Sequence, residues 1–313
     1  MAIDKNFVDQ FIKVTSKAAL SSSYLVGKKD KISADKAAVD SMRSELNKMN
    51  IQGEIVIGEG ELDEAPMLYI GEKVGNKNGP ELDIAVDPLE GTNFAANNLP
   101  GALSVIAISE KNNLLNAPET YMEKISTRVT EKNVIDLDYS VKKNISNLSD
   151  YLNKNPENIT ACILDRPRHV KIIDELKQLK VKIKLISDGD VSGALLVTDN
   201  RHNVDIFLGI GGGPEGVLAA SALDSFGCSF QGRFLFETNE DKSRAKKMGI
   251  NDLKKKYELN EIVSGDSIFC ATGITSGDLV SGIEIQGNEF ISETLVTHKS
   301  SGLKKVIKQK QNI

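Results

Sequence analysis

Between residues 141 and 209 the chain alternates two hydrophobic periods, and no other feature limits its fold so tightly. Val141, Ile145, Leu148 and Leu152 recur at helical spacing, and Ile159 to Leu164 then form an apolar run of strand length. Helix 169–179, strand 181–186, helix 191–198 and strand 204–209 follow in the same manner. Strands separated by helices pair in parallel, which puts the chain in the α/β class. Ligands of such sheets sit beyond the carboxyl ends of the strands. Here those ends carry Arg166 and Arg168, then Asp188-Gly189-Asp190, then Gly211-Gly212-Gly213-Pro214-Glu215-Gly216.

The first third supplies acids in comparable places. Phe7, Phe11, Val14 and Ala18 predict an amphipathic helix over 4–24, and Ser33 is a suitable N-cap for a second helix with Asp35 in its first turn. Glu54 to Ile57 reads as a strand that runs into Gly58-Glu59-Gly60, where glycines allow backbone and carboxylate to approach a ligand closely. Ile84, Ala85 and Val86 form another buried strand, and Pro88 predicts that it ends at Asp87. Glu90, Gly91 and Thr92 follow on one tight turn. Two carboxylates about 4 Å apart repel by roughly 4 kcal/mol at an effective dielectric near 20, a cost that a cation removes. Helix 240–257 and strands near 267–271, 279–285 and 290–297 complete the reading, with Lys304 to Lys310 as a solvated helix end. Two lobes are expected, residues 1–130 and 131–313, the second completing a site begun in the first.

Composition narrows the class. Cys162, Cys228 and Cys270 are odd in number and far apart, each in an apolar segment, which suits buried thiols in a reducing, cytoplasmic setting. No stretch approaches the roughly 18 apolar residues of a membrane span, and a net charge of −5 speaks against nucleic acid.

Asp35, Glu59, Asp87, Glu90 and Glu215 therefore stand out as five acids at element ends, while His169, His202 and His298 match no ligand spacing. Oxygen-only ligation favours Mg²⁺ or Mn²⁺ over zinc. Two such ions about 3.5–4 Å apart clamp the attacking and leaving oxygens of a phosphoryl displacement. Thr92 is placed to hydrogen-bond a metal-activated water, and Arg166 and Arg168 suit a second phosphate, since a guanidinium binds phosphate oxygens in pairs. The glycine run at 211–216, with Glu237 about twenty residues on, also fits a dinucleotide fingerprint. Against that, Pro214 removes a backbone donor and Glu215 puts a negative charge where a pyrophosphate would approach.

The blocks Gly58–Gly75, Asp83–Thr92, Asn116–Pro118 with Tyr121–Lys124, Arg166–His169, Asp188–Asp190 and Gly209–Gly216 resemble class II fructose-1,6-bisphosphatase of the GlpX type. The Asp-Pro-x-Glu-Gly-Thr element is shared across the lithium-sensitive sugar and inositol phosphatases. The inositol monophosphatases usually carry a later Trp-Ala-x-Asp motif, and this chain has no tryptophan. The resemblance implies a layered α/β/α/β/α sugar-phosphatase fold, a two-metal site and hydrolysis of the 1-phosphate of fructose 1,6-bisphosphate in gluconeogenic carbon metabolism. It implies Asp35, Glu59, Asp87, Glu90 and Glu215 as metal ligands and Thr92, Lys31 and Glu59 as the catalytic set. Substrate contacts would come from Glu90, Gly91, Thr92, Tyr121, Arg166, Pro167, Arg168, Asp188, Gly189 and Asp190. A homo-oligomer, dimer or tetramer, is the family expectation. Asp165, Ser33 and Gly213 depart from the family pattern, and Asp165 sets an acid beside the distal-phosphate arginines. Sedoheptulose 1,7-bisphosphate is the alternative or additional substrate, and a non-catalytic sugar-phosphate sensor is the reading from another class.

Overall fold

The computed structural model describes residues 2–58 and 67–313. In chain order its elements begin with helices α1 (Phe7–Ser23) and α2 (Lys31–Leu46), then strands β1 (Gln52–Ile57), β2 (Lys73–Val74) and β3 (Glu81–Glu90). Helix α3 (Thr92–Ala96) and strands β4 (Leu103–Glu110) and β5 (Tyr121–Thr127) come next, followed by α4 (Val141–Leu152), β6 (Thr160–Leu164), α5 (Val170–Gln178) and β7 (Lys182–Ile186). Then come α6 (Asp190–Leu195), β8 (Ile206–Gly212), α7 (Gly213–Phe226), β9 (Ser229–Leu235), α8 (Asn239–Lys247), β10 (Lys256–Glu258) and α9 (Leu259–Ile262). Strands β11 (Ser267–Gly273), β12 (Glu284–Gln286), β13 (Glu289–His298) and β14 (Leu303–Asn312) close the chain.

These elements form two compact units, Met1–Asn116 with Val263–Ile313, and Ala117–Ile262. The expected single boundary near residue 130 is thus replaced by two crossings. The cause is pairing: β11 lies antiparallel to β4 from Ser267 opposite Ser109 to Gly273 opposite Leu103, so the last fifty residues belong to the first sheet.

The first unit is a mixed sheet in the order β12-β13-β11-β4-β3-β1-β2, with β14 paired to β13. Only β1 and β3 run parallel among the pairs described. Val8, Phe11, Ile12, Ala18 and Ala19 of α1 are buried in one core with Ala38 and Met42 of α2, Ile84 and Val86 of β3 and Ile106 of β4. A seam of hydroxyls runs through the same interface. Thr272 bonds Thr15 and Thr294, each at 2.7 Å, and Ser16 meets Ser292 at 3.0 Å.

Several expectations change at this level. The N-cap of α2 is Asp30, whose carboxylate accepts from the Ser33 amide at 2.9 Å and hydroxyl at 2.7 Å, so Asp35 lies in the second turn. Strand β3 does not stop at Asp87. It continues through Pro88 with one extra residue, Asp87 facing Val105 and Glu90 facing Leu103. Residues 304–310 form no helix end; they pair with β13 along the whole of β14, after a turn at Gly302 (φ 66°). The helix expected over 240–257 stops at Lys247, before Gly249 at φ 89°.

The second unit is a sheet in the order β10-β9-β5-β8-β6-β7. Strand β6 pairs in parallel with both β7 and β8, as the helix-strand alternation requires, while β5, β9 and β10 join antiparallel. Ile145 and Leu148 of α4 and Leu176 of α5 are buried with Ile125, Ala161, Ile206 and Leu208 on one face. The glycine positions of α6 and α7 lie against Ile186, Phe207, Met122 and Lys124 on the other. The molecule is therefore an α/β protein built on two mixed sheets. Cys162, Cys228 and Cys270 are free and buried, and no helix of the described residues is long and apolar enough to cross a membrane.

Candidate active site

In the first unit the candidate residues gather around the β3 bulge and the starts of two helices. Glu90 ends β3 and is buried, whereas Asp87 is half-buried and hides one carboxylate oxygen. The bulge at Pro88–Leu89 makes this possible, because an extra residue breaks the alternation and lets acids three apart share a strand end. Gly91 then takes φ 80°, a left-handed conformation that glycine adopts without cost, and Thr92 opens α3 half-exposed. Two backbone bonds, from Gly27 to Ala95 and from Lys29 to Ala96, both 2.9 Å, tie the loop before α2 to α3. Lys31 is the first residue of α2 and is exposed; Asp35 is half-buried and also hides a carboxylate oxygen.

Asp35, Asp87 and Glu90 offer oxygen donors only, which suits a hard divalent cation. Among the described residues no three acidic, imidazole or thiol groups come close enough together to hold an ion. Glu59, expected both as a ligand and in the catalytic set, lies outside the described residues.

In the second unit the candidates sit at the carboxyl ends of three neighbouring parallel strands. Arg166, Pro167 and Arg168 follow β6, Asp188 and Gly189 follow β7, and Glu215 follows β8 in the first turn of α7. Gly189 turns at φ 80° and delivers Asp190 to the start of α6. Arg166 donates to the Ser187 carbonyl at 2.5 Å and meets the Asp188 carboxylate at 3.4 Å. Its bond to Asp165, 3.1 Å, goes to the main-chain carbonyl and not to the acid that departs from the family pattern. The guanidinium of Arg168 lies 4.7 Å over the ring of Tyr121, which is 45% exposed, so one charged face and one aromatic face are presented together.

One residue of this half was missed. Lys124 of β5 is only 1% exposed; its ammonium donates to the carboxylate of Asp190 and, at 2.6 Å, to the Gly212 carbonyl. Met122 and Lys124 alternate along β5 and both lie against Gly216 of α7, a covering that the local pattern around Lys124 does not reveal. The glycine run makes room for the acids. A Cβ on Gly211 would sit 2.0 Å from an Asp190 oxygen, and one on Gly212 would sit 1.8 Å from a Glu215 oxygen. Burial pushes the Glu215 carboxyl above its usual range, Lys124 pulls it back and Asp190 adds to the rise. Asp190 accepts from Lys124 through one oxygen, and its other oxygen is buried with no hydrogen-bond partner. The turn that reads as a dinucleotide fingerprint is thus lined by carboxylates, the wrong charge for a pyrophosphate.

Comparison with known proteins agrees with this chemistry. The family described as bacterial fructose-1,6-bisphosphatase, glpX-encoded, matches residues 5–311. Fructose-1,6-bisphosphatase 1 class 2 of Escherichia coli (strain K12) is 43% identical over 306 residues, covering 93% of this chain and 91% of the relative. The D-fructose 1,6-bisphosphatase class 2/sedoheptulose 1,7-bisphosphatase of Synechococcus sp. (strain JA-3-3Ab) is 40% identical over 317 residues, covering 93% and 91%. Among solved structures, a Thermotoga maritima IMPase aligns over 64% of this chain and 79% of its own with 15% identity and a TM-score of 0.34. Matched along nearly its whole length by profile and by relatives alike, this chain belongs to the glpX-encoded bacterial fructose-1,6-bisphosphatase family.

Proposed function

We propose that this phosphatase transfers the 1-phosphoryl group of fructose 1,6-bisphosphate to water, leaving fructose 6-phosphate and inorganic phosphate. The observation that carries the reading is the family match from residue 5 to residue 311, which takes in every candidate residue of both units. Family membership implies a divalent-metal-dependent phosphatase, and Mg²⁺ or Mn²⁺ is our choice from the oxygen-only donor set. From the family resemblance, the metal ligands we propose are Asp35, Glu59, Asp87 and Glu90 in the first unit, with Glu215 the acid proposed in the second. Such an ion, when bound, lowers the pKa of a coordinated water and neutralises charge on the transferring phosphoryl oxygens.

The remaining work belongs to the chain's own side chains. Thr92 accepts a proton-side hydrogen bond from the attacking water and orients it toward phosphorus, with Lys31 offsetting negative charge nearby. Arg166 and Arg168 bind the distal phosphate; the Tyr121 ring under Arg168 restricts that guanidinium before substrate arrives, which lowers the entropy lost on binding. The free oxygen of Asp190 and the carboxylate of Asp188 accept sugar hydroxyls. Sedoheptulose 1,7-bisphosphate is the second substrate we propose, because the Synechococcus relative bears both names.

Phosphate release from the two bisphosphates, before and after chelation and with Mg²⁺ or Mn²⁺ restored, tests the reading. Expected are release from fructose 1,6-bisphosphate, its loss on chelation and recovery with one of the two ions. A Thr92→Ala variant should lose about 10²-fold or more in kcat. Undiminished turnover after chelation would overturn the metal assignment, and no release from either sugar would overturn the substrate assignment.

A further inference from the structure

Arg168 lies over the ring of Tyr121, the first residue of β5, from the exposed turn that follows β6, and something must fix that turn to the sheet. The ladder between β6 and β8 extends only from Ala161 opposite Ile206 to Cys162 opposite Phe207. Three residues further along β8, both main-chain groups of Ile210 are taken by the loop that follows β6. Its carbonyl accepts from Arg168 Nε at 2.9 Å, and its amide donates to His169 Nε2 at 2.8 Å. The other ring nitrogen of His169, Nδ1, lies 2.7 Å from the Leu164 carbonyl, the last residue of β6. The ring is fully buried and flush against Gly209, where a Cβ would sit 3.1 Å from Nε2.

These partners fix the tautomer. The Ile210 amide can only donate, so Nε2 accepts; the Leu164 carbonyl can only accept, so Nδ1 carries the hydrogen. A charged ring would press a second N–H against the Ile210 amide. Burial, opposed by the Leu164 bond and aided by the Arg168 charge, also holds the imidazole below its ordinary pKa. The ring is therefore a neutral two-ended staple between the end of β6 and β8.

We propose that His169 is a positioning residue: by tying the arginine loop to Ile210 it sets where Arg168 meets the distal phosphate, and so sets the enzyme's preference for a bisphosphate over a monophosphate. The proposal rests on the reading that Arg168 binds that phosphate. It gives the buried histidine a task that the reaction chemistry leaves open, and it predicts which of the two ring bonds matters.

Asparagine and glutamine each replace half of the ring. In His169→Asn the side-chain amide can reach the Leu164 carbonyl but nothing meets the Ile210 amide. In His169→Gln an oxygen reaches the former Nε2 position and accepts from Ile210. With the full-length enzyme and Mg²⁺, His169→Asn should raise KM for fructose 1,6-bisphosphate about tenfold, the loss of one hydrogen bond's worth of positioning, with kcat within about twofold. His169→Gln should keep KM within about threefold of the parent. Fructose 1-phosphate, used as a competing ligand without the distal phosphate, should show the same inhibition constant on all three proteins. A merely structural histidine would lower the active fraction and leave KM and the ligand ratio unchanged, and that result overturns the proposal. So does an equal rise in KM for both variants. If His169→Asn does not fold, Gly209→Ala, which displaces the ring from its neighbour, must show the same KM-selective rise or the proposal fails. Arg168→Ala separates the two levels: unchanged KM there removes the distal-phosphate reading itself, whereas raised KM there with normal KM in His169→Asn removes only the role of His169.

Discussion

Lys124 has two acceptors and almost no water, and that combination makes its removal costly. Its ammonium faces the Asp190 carboxylate and the Gly212 carbonyl, and the side chain is 1% exposed against 9% for Asp190. A buried ion pair adds little over an apolar pair of the same shape, but losing one member leaves a charge stranded. Lys124→Met should therefore destabilise the second unit by about 3–5 kcal/mol in urea titration. Adding Asp190→Leu should recover most of that loss while activity stays absent; a double variant as unstable as the single one would show that Lys124 matters through packing instead. The acids around this lysine were legible because each sits at an element end, where a charged side chain has no core to join. Lys124 was not, since its position on the buried face of β5 follows only once α7 is known to cover that face. Ser33 illustrates a nearer miss. Serine and aspartate are equally good caps, and which of Asp30 and Ser33 begins α2 depends on where the preceding loop is tied to α3.

Elements were read well where one face of the period is apolar, as in α1, α4 and the parallel strands, and poorly where charge dominates. Strand β14 carries Lys304, Lys305, Lys308 and Lys310 on its exposed positions and pairs, among the described residues, with β13 alone. Lysines at alternate positions of an edge strand discourage further pairing, yet in sequence they look like a solvated helix end. The hairpin formed by β13 and β14 is tied to the N-terminal segment through Asp266. That carboxylate accepts from the Ile3 amide at 2.8 Å, the Ser300 amide and hydroxyl at 2.8 Å, and His298 at 3.1 Å. Burial alone would raise its pKa, but the Ser300 and Ile3 bonds outweigh it and hold the group below its ordinary 3.8. A depressed carboxylate stabilises the fold fully above its unfolded pKa and loses that contribution as pH falls through the folded value. Amide exchange at Ile3 and Ser300, taken relative to the intrinsic rate of each amide at the same pH, should thus stay slow above about pH 4 and accelerate below it. In Asp266→Asn the acceleration should already be present at neutral pH, with a stability loss of about 2 kcal/mol. Exchange at these two amides that ignores both acid and the substitution would remove Asp266 as the tie.

At the scale of the whole molecule, the interruption of one unit by the other is the feature that no local pattern could reveal. Strands near 267–271 and 290–297 were recognisable as strands, but their period says nothing about which sheet they enter. Only the pairing of β11 with β4 and of β13 with β11 assigns them to the unit begun by residues 1–116. The consequence is an asymmetry between the two units. Residues 117–262 are continuous and hold the parallel strands β6, β7 and β8 and the helices α4 and α5, with their own buried cluster from Ile125 to Leu208. The first unit needs both ends of the chain, because Ile268, Cys270 and Val296 fill the same core as Phe11 and Ile106. A chain ending at Ile262 would leave the edge of β4 open and expose that core. Such a truncation should abolish activity and make residues 1–116 protease-sensitive, while a fragment spanning about 117–262 survives with the far-ultraviolet signature of an α/β fold. Adding a separate 263–313 peptide should restore protection of the first unit in proportion to its concentration, as mass action requires for an interface that closes a core. Equal sensitivity of both units to the truncation would mean that they fold as one cooperative body, and the two-unit division would then be one of contact only.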